Sequence, residues 1–432
     1  MFIYCLLLVM SVFLGSQILA VTTPVAQVTI YRLLALAAPF LLAWQVWHKN
    51  RSLLYLPRSA ASRMLAVYLL WWLISLFSGL WAVNFKSWLQ VFFLMTVGIS
   101  AILALYFWVH SYQDWLRLCQ GAWVIMSGLV LWGYFELLTN RYIFADLNKL
   151  DKYDTFSSQP WTRIPITHFA NQNDYATMLL AYLILSLILY QLCRRFWQRG
   201  IYLVFMLLAS LLIYQSGSRM SLLCLLMIIG YLFLNQFSWS ASKPWLKRLF
   251  IFFGLVLIFA LVFVGPLREK LSSIIYFQGP QAELSGDTKR MNIWRNGLLF
   301  LTETFGFGVG SGNIEYWSRV RGFWPTNEIT NMHNWWLEIL VSNGILAFVL
   351  YVWGYFNLTR RFTVLARTSK DPQIRTISQI FLIFLMIFIL ASITSANNML
   401  IEWHWLFFGL IISYLKIVDS QELLKKNRRK TL

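Results

Sequence analysis

The sequence is short of acid, of charge and of cysteine, and each shortage closes off a class of function. Charged residues make up 12% of the 432-residue chain and hydrophobic residues 59%, which excludes a water-soluble globule. Several windows exceed about eighteen apolar residues, each long enough to cross a bilayer as a helix. Aspartate and glutamate total 17 against 36 lysines and arginines. No acidic pair or Asp-x-Asp-like cluster falls on the side of the long hydrophilic loops, so neither a metal site nor a metal-dependent sugar transfer is expected. The four cysteines, Cys5, Cys119, Cys193 and Cys224, lie in or beside apolar segments without paired spacing, which leaves no zinc site and no disulfide framework. The first apolar run, Phe2 to Ala20, lacks a charged n-region and is followed within a few residues by another. It reads as a retained span rather than a signal peptide.

What the chain does have is about twelve apolar runs, near residues 2–20, 28–47, 65–83, 89–109, 118–138, 174–193, 201–216, 220–238, 249–266, 335–356, 376–395 and 398–415. The fold class expected is therefore all-α and polytopic. The 22 tryptophans fit interfacial aromatic belts. A net charge of +19 suggests nucleic acid at first sight, but the basic residues stand in short clusters between spans. Lys49, Arg51, Arg58 and Arg63 form one; Arg194, Arg195 and Arg199 another; Lys243, Lys247 and Arg248 a third. Arg360, Arg361, Arg367, Lys370 and Arg375 follow, and Lys425 to Lys430 closes the chain. All fall on one side if both termini are cytoplasmic, which is the positive-inside pattern. Membrane lipids, not nucleic acid, are the partners this charge implies. Residues 416–432 are expected to form a basic cytoplasmic tail of low complexity.

The opposite, extracytoplasmic face receives two long loops, residues 139–174 and 267–334, inside what is otherwise one membrane domain over 1–432. Long loops on a compact membrane protein carry function or cover a site. In the second, Arg290 to Phe305 is expected to form a short interfacial helix with an apolar side of Met291, Ile293, Trp294, Leu298 and Leu299. Gly306 to Gly312 then supplies a sharp turn with exposed backbone amides.

The chemistry-bearing residues gather on that face. His333, in Asn331-Met332-His333-Asn334-Trp335-Trp336, stands where polar loop gives way to apolar helix. A neutral imidazole there is equipped to take a proton, or to anchor the helix at the headgroups. Arg219, in Ser216-Gly217-Ser218-Arg219, is squeezed between two spans, either binding an anion or snorkelling to headgroups. Arg290 opens the loop helix, as a second anion ligand or as a solvated charge. Two guanidinium forks match phosphate oxygens as lysine cannot, and with a histidine base they are the equipment for displacing a phosphate or diphosphate leaving group. Asn171, Asn173 and Asp174 precede the sixth span, either binding sugar hydroxyls or capping the helix. Arg163 and His168 share that loop, and Asn334 adjoins the histidine. Glu402 and His404, near the outer end of the last span, are of second rank.

Four motifs in order resemble the O-antigen ligase/polymerase superfamily of bacterial membrane glycosyltransferases. Phe169-Ala170-Asn171-Gln172-Asn173-Asp174 is similar to its asparagine motif and Ser216-Gly217-Ser218-Arg219 to its Ser-Arg turn. Arg290 to Trp294, leading to Gly306-Phe307-Gly308-Val309-Gly310, is similar to its arginine-to-glycine stretch. His333-Asn334, followed after nine intervening residues by Gly344, is similar to its His-Asn signature. The resemblance covers most of the chain and departs from the ligase branch at Ala347, where ligases often show a second glycine. It implies a GT-C-like fold and a metal-independent, inverting transfer, with no cofactor, on the outer face of the cytoplasmic (inner) membrane. The donor would be a glycan on undecaprenyl diphosphate, with its diphosphate on Arg219 and Arg290. His333 would activate the hydroxyl of a glycan acceptor, and other polysaccharide assembly proteins are a further class of partner. A polymerase joining repeat units and a ligase moving finished glycan onto an acceptor such as lipid A core share this machinery. A transporter of lipid-linked sugars is the rival from another class, and the absence of internal repeats and of midplane charges argues against it.

Overall fold

The computed structural model describes residues 1–14, 20–22, 27–48, 59–144, 164–169, 171–236, 286–326, 329–393 and 401–430. These form thirteen α-helices: α1 (Phe2–Val12), α2 (Ile30–His48), α3 (Ala60–Phe77), α4 (Phe85–Trp108), α5 (Tyr112–Thr139), α6 (Gln172–Leu192), α7 (Phe196–Gln215), α8 (Arg219–Gln236), α9 (Gly286–Glu303), α10 (Ile314–Arg321), α11 (Trp335–Thr368), α12 (Pro372–Ala391) and α13 (Glu402–Lys430). The one pair of strands among them, Val21–Thr22 and Gln27–Val28, is a two-residue antiparallel ladder between α1 and α2. Eight helices, α2 to α7, α11 and α12, are long and apolar enough to cross a membrane, and α1 and the start of α8 are shorter apolar helices. The protein is an all-α, multi-pass membrane protein. The span expected over 249–266 and the candidate Arg163 lie outside the described residues.

Side-chain caps set the helix starts. Asn84, Ser111, Asn171, Asn334 and Asp371 each accept backbone N–H groups of the following turn, satisfying donors that lipid would leave unpaired. The bundle is organised on two pairings, α3 with α11 and α4 with α13, and α12 packs on α11, α6 and α8. At their meeting point is an aromatic core in which Trp71 lies 5.7 Å from both Trp335 and Trp405 and 5.4 Å from Tyr351. Such rings add specific edge-to-face geometry to their burial.

Three expectations need correction. The first helix is Phe2–Val12, shorter than the apolar run to Ala20, of which residues 15–19 are not described. The basic tail is not a low-complexity end, because α13 continues through Lys430. Arg361 of α11 helps to hold this extension, binding Asp419 at 2.7 Å and also reaching Glu422. The loop helix α9 divides its apolar residues between two faces. Ile293 and Phe300 are buried with Asn292 and Asn296, while Met291 and Leu298 are exposed. Its polar stripe is structural: Asn296 Oδ1 accepts from Phe323 N (3.0 Å) and Trp324 N (2.9 Å), and Asn292 Nδ2 donates to the Pro325 carbonyl at 2.9 Å. Helix α9 is thereby packed onto α10 and the start of α11 around a small core of Ile293, Phe300, Val309, Ile314, Met332 and Val341.

Candidate functional site

The expected base lies in a tightly specified turn. His333 has φ 47°, a left-handed conformation that costs a non-glycine residue about 1–3 kcal/mol and persists only where its surroundings enforce it. They do so from both sides. Trp294 of α9 donates its indole N–H to the Met332 carbonyl (3.1 Å), and Trp335 N donates to the Ser392 carbonyl at the end of α12 (3.0 Å). Asn334 Oδ1 then accepts from Trp336 N (3.0 Å) and Leu337 N (3.2 Å), starting α11. The strain is thus held in place by three elements that are distant in sequence.

The other expected residues stand on the helices around this turn. Arg290 lies one turn before Trp294 on α9. Arg219 is exposed at the first position of α8, five residues before Cys224, whose thiol donates to the Ile387 carbonyl on α12 (3.5 Å). Helix α9, which carries Arg290, meets the His333 turn directly through Trp294, and α8, which carries Arg219, packs on α12, whose end meets the turn at Ser392. Asn171 caps α6: its Oδ1 accepts from Asn173 N (2.9 Å) and Asp174 N (3.0 Å), and its Nδ2 donates to Asp174 Oδ2 (2.8 Å). Of the two readings open for this motif, capping accounts for the bonds of Asn171. His168 is buried against Phe169 (4.3 Å) and Trp132 (6.2 Å), and burial pushes its imidazole down to about 4. Its loop is pinned by Glu136, whose Oε2 accepts from Ile166 N (2.8 Å) and Thr167 N (2.9 Å).

The glycine-rich segment does not present the exposed amides expected from its sequence. Val309 N donates to the Val341 carbonyl (2.8 Å) and Gly310 N to the Ser342 carbonyl (3.0 Å), while Ile345 N turns away from the helix ladder to donate to the Gly306 carbonyl (2.9 Å). Helix α11 breaks at Gly344, at φ 82° and ψ 178°, and the loop takes up the backbone groups that the break releases. Ser311 seals the joint: its hydroxyl lies 2.7 Å from Ser75 Oγ and accepts from Asn343 Nδ2 at 2.6 Å, while Asn343 Oδ1 receives the Trp71 indole N–H (3.0 Å).

Beside this joint, at the same end of the bundle, is a cavity of about 300 Å³ walled by α2, α4, α11 and the 311–315 segment, with Asn331 and Met332 of the histidine turn also lining it. Arg32, buried, forms an ion pair with Glu402, 370 residues away in sequence, and donates to the Gln27 carbonyl. Sequence reasoning missed Arg32, although a lone arginine near the start of an apolar span is itself a signal. It ranked Glu402 second without its partner. His404 is fully enclosed by Trp335 (4.7 Å) and Phe388 (4.8 Å), a core position.

Residues 204–352, which span Arg219, α9, the glycine segment, the histidine turn and the break in α11, match the O-antigen ligase family. Along most of its length the chain is also similar to the teichuronic acid biosynthesis protein TuaE of Bacillus subtilis (strain 168). The two are 25% identical over 427 residues, covering 95% of this chain and 83% of TuaE.

Proposed function

We propose a polymerising reaction for this chain, which belongs to the O-antigen ligase/polymerase superfamily and is a polysaccharide polymerase- or ligase-type membrane enzyme. In this reading it joins undecaprenyl-diphosphate-linked repeat units on the outer face of the cytoplasmic membrane, with both termini cytoplasmic. The observation that carries it is the strained His333 turn, fixed by Trp294 of the helix that carries Arg290 and by Ser392 at the end of α12. Strain of this kind, over-determined by its neighbours, is characteristic of functional sites.

His333 accepts the proton of an acceptor hydroxyl as its oxygen attacks the anomeric carbon of the donor sugar. The bond from that carbon to the diphosphate oxygen breaks on the opposite side, inverting the configuration. The leaving diphosphate gathers charge, which the forks of Arg219 and Arg290 match by bidentate hydrogen bonds without a metal ion. Asn173, Asp174, Asn334 and Arg163 are retained as residues that contact the substrate around this centre. Chain growth is favoured over transfer to a lipid core because the relative's stated role is the biosynthesis of a polymer, teichuronic acid. Ala347, where ligases often carry glycine, agrees with this.

The test is purified protein in lipid, given an undecaprenyl-diphosphate-linked repeat unit as sole substrate, with products resolved by size. A ladder spaced by one repeat, absent with His333→Ala, is expected. Transfer only after a separate acceptor is supplied would make the enzyme a ligase, and no His333-dependent transfer in either format would sink the reading.

A further inference from the structure

The cavity beside the histidine turn is not explained by the donor chemistry. Its buried walls carry Arg32, Glu338, Ser342 and Asn343, and Gln27 and Gln90 are exposed at its mouth. Polar side chains buried at the end of an apolar bundle are costly, and in membrane proteins they mark substrate paths. The volume of about 300 Å³ is at the lower edge of the ~300–1,000 Å³ range of small-ligand sites, room for a sugar residue rather than a polymer.

The lining is wrong for a diphosphate. Its one arginine already binds Glu402 and the Gln27 carbonyl, and Glu338 contributes a carboxylate that would repel phosphate. Asn343 and Ser311 are spent in the joint, but the lining also carries Gln27, Gln90, Asn331 and the Glu338 carboxylate. The buried Asn331 Oδ1 has no hydrogen-bond partner among the described residues. Such mixed amide and carboxylate groups pair with the hydroxyls of a sugar. The cavity is also on a separate side from Arg219. It is built by α2, α4 and α11, whereas α8 packs on α6, α7 and α12, and the His333 turn touches both groups.

We propose that this cavity seats the terminal sugar of the acceptor glycan, with Glu338 and Gln90 contacting its hydroxyls and the His333 turn at its edge receiving the hydroxyl that attacks. The inference rests on the polymerase reading for its name but not for its test. The probe is the free oligosaccharide released from the lipid-linked repeat unit, measured both by equilibrium binding to the protein in lipid and as acceptor in the transfer assay. Gln90→Trp blocks the mouth from an exposed position where folding is little affected, and Glu338→Gln removes the charge at constant shape.

Both variants are expected to weaken oligosaccharide binding and to raise the acceptor KM by about tenfold or more, the loss of one or two hydrogen bonds. The donor KM stays unchanged, and His333→Ala retains binding. Unaltered oligosaccharide affinity in both variants, no binding by the wild-type protein, or a raised donor KM in place of the acceptor KM would overturn the proposal. If the wild type binds the oligosaccharide, loses it in Gln90→Trp, and yet transfers nothing, the polymerase reading fails while the sugar site stands.

Discussion

Gly308 and Gly344 meet backbone to backbone. A Cβ on Gly308 would lie 2.6 Å from the Gly344 nitrogen, and one on Gly344 would lie 2.5 Å from the carbonyl oxygens of both Gly306 and Phe307. Both residues have positive φ, 81° and 82°, so a side chain is opposed by conformation as well as by space. Gly344→Ala is therefore expected to lower the thermal midpoint of the protein in detergent, with at least ~1–3 kcal/mol of strain, and to abolish product. A Gly344→Ala protein of wild-type stability and activity would show that loop and helix separate without consequence.

Two of the capping asparagines, Asn334 and Asn171, should respond differently to the same change. At Asn334 only the carbonyl oxygen is engaged in the cap, so Asn334→Asp retains stability while Asn334→Ala loses about 1 kcal/mol. At Asn171 the Nδ2 group also donates to Asp174. Asn171→Asp there sets two carboxylates against each other and destabilises more than Asn171→Ser. Thermal melts of the four variants check this. Loss of product from a stable Asn334→Asp protein would assign the side-chain amide of Asn334 to substrate.

Arg219→Lys and Arg290→Lys are each expected to cut polymer formation by at least ~10²-fold, since a point charge cannot reproduce a bidentate fork, with membrane levels of protein unchanged. His333→Ala should lose transfer yet still bind the lipid-linked donor. Donor affinity measured beside turnover separates these roles, and full turnover by the lysine variants would count against the diphosphate clamp.

Acid should weaken the loop after α5. Burial holds His168 neutral, its imidazole pushed down to about 4 from an ordinary 6.5, so below about 6.5 the unfolded chain binds a proton that the folded one refuses. Stability contributed here is fully present above 6.5 and is lost as pH falls from there toward 4. His168→Phe, which keeps the stacking on Phe169 and Trp132, is expected to flatten the thermal midpoint across that window relative to wild type. Identical pH profiles would show that another group governs the acid response.

Much of the architecture was legible because lipid enforces a coarse code. An apolar run such as residues 89–109 has to become a helix, and α4 duly covers Phe85–Trp108. Counting spans also gives the expectation that Arg219, Arg290 and His333 share the loop side. Pairings between distant residues were not legible. Nothing in the sequence places Arg32 beside Glu402, or Ser311 between Ser75 and Asn343, because such contacts depend on how finished helices pack. The face of α9 was misread for a related reason: Asn292 and Asn296 look like solvent residues until the 323–325 segment arrives to use their hydrogen bonds. Asn171 was ambiguous in principle, since the carbonyl oxygen that caps a helix is also one that a sugar could use.

The exchange of hydrogen bonds at the break in α11 has a consequence for how the protein is made. The Val341 and Ser342 carbonyls and Ile345 N are bonded to Val309, Gly310 and Gly306, and Ser311 closes the joint onto α3 through Ser75. The loop can lock only after α3 and α11, which are some 270 residues apart, have both entered the membrane and found each other. Completion of the joint thus depends on the pairing of α3 with α11, and the segment that packs on Met332 of the histidine turn is completed with it.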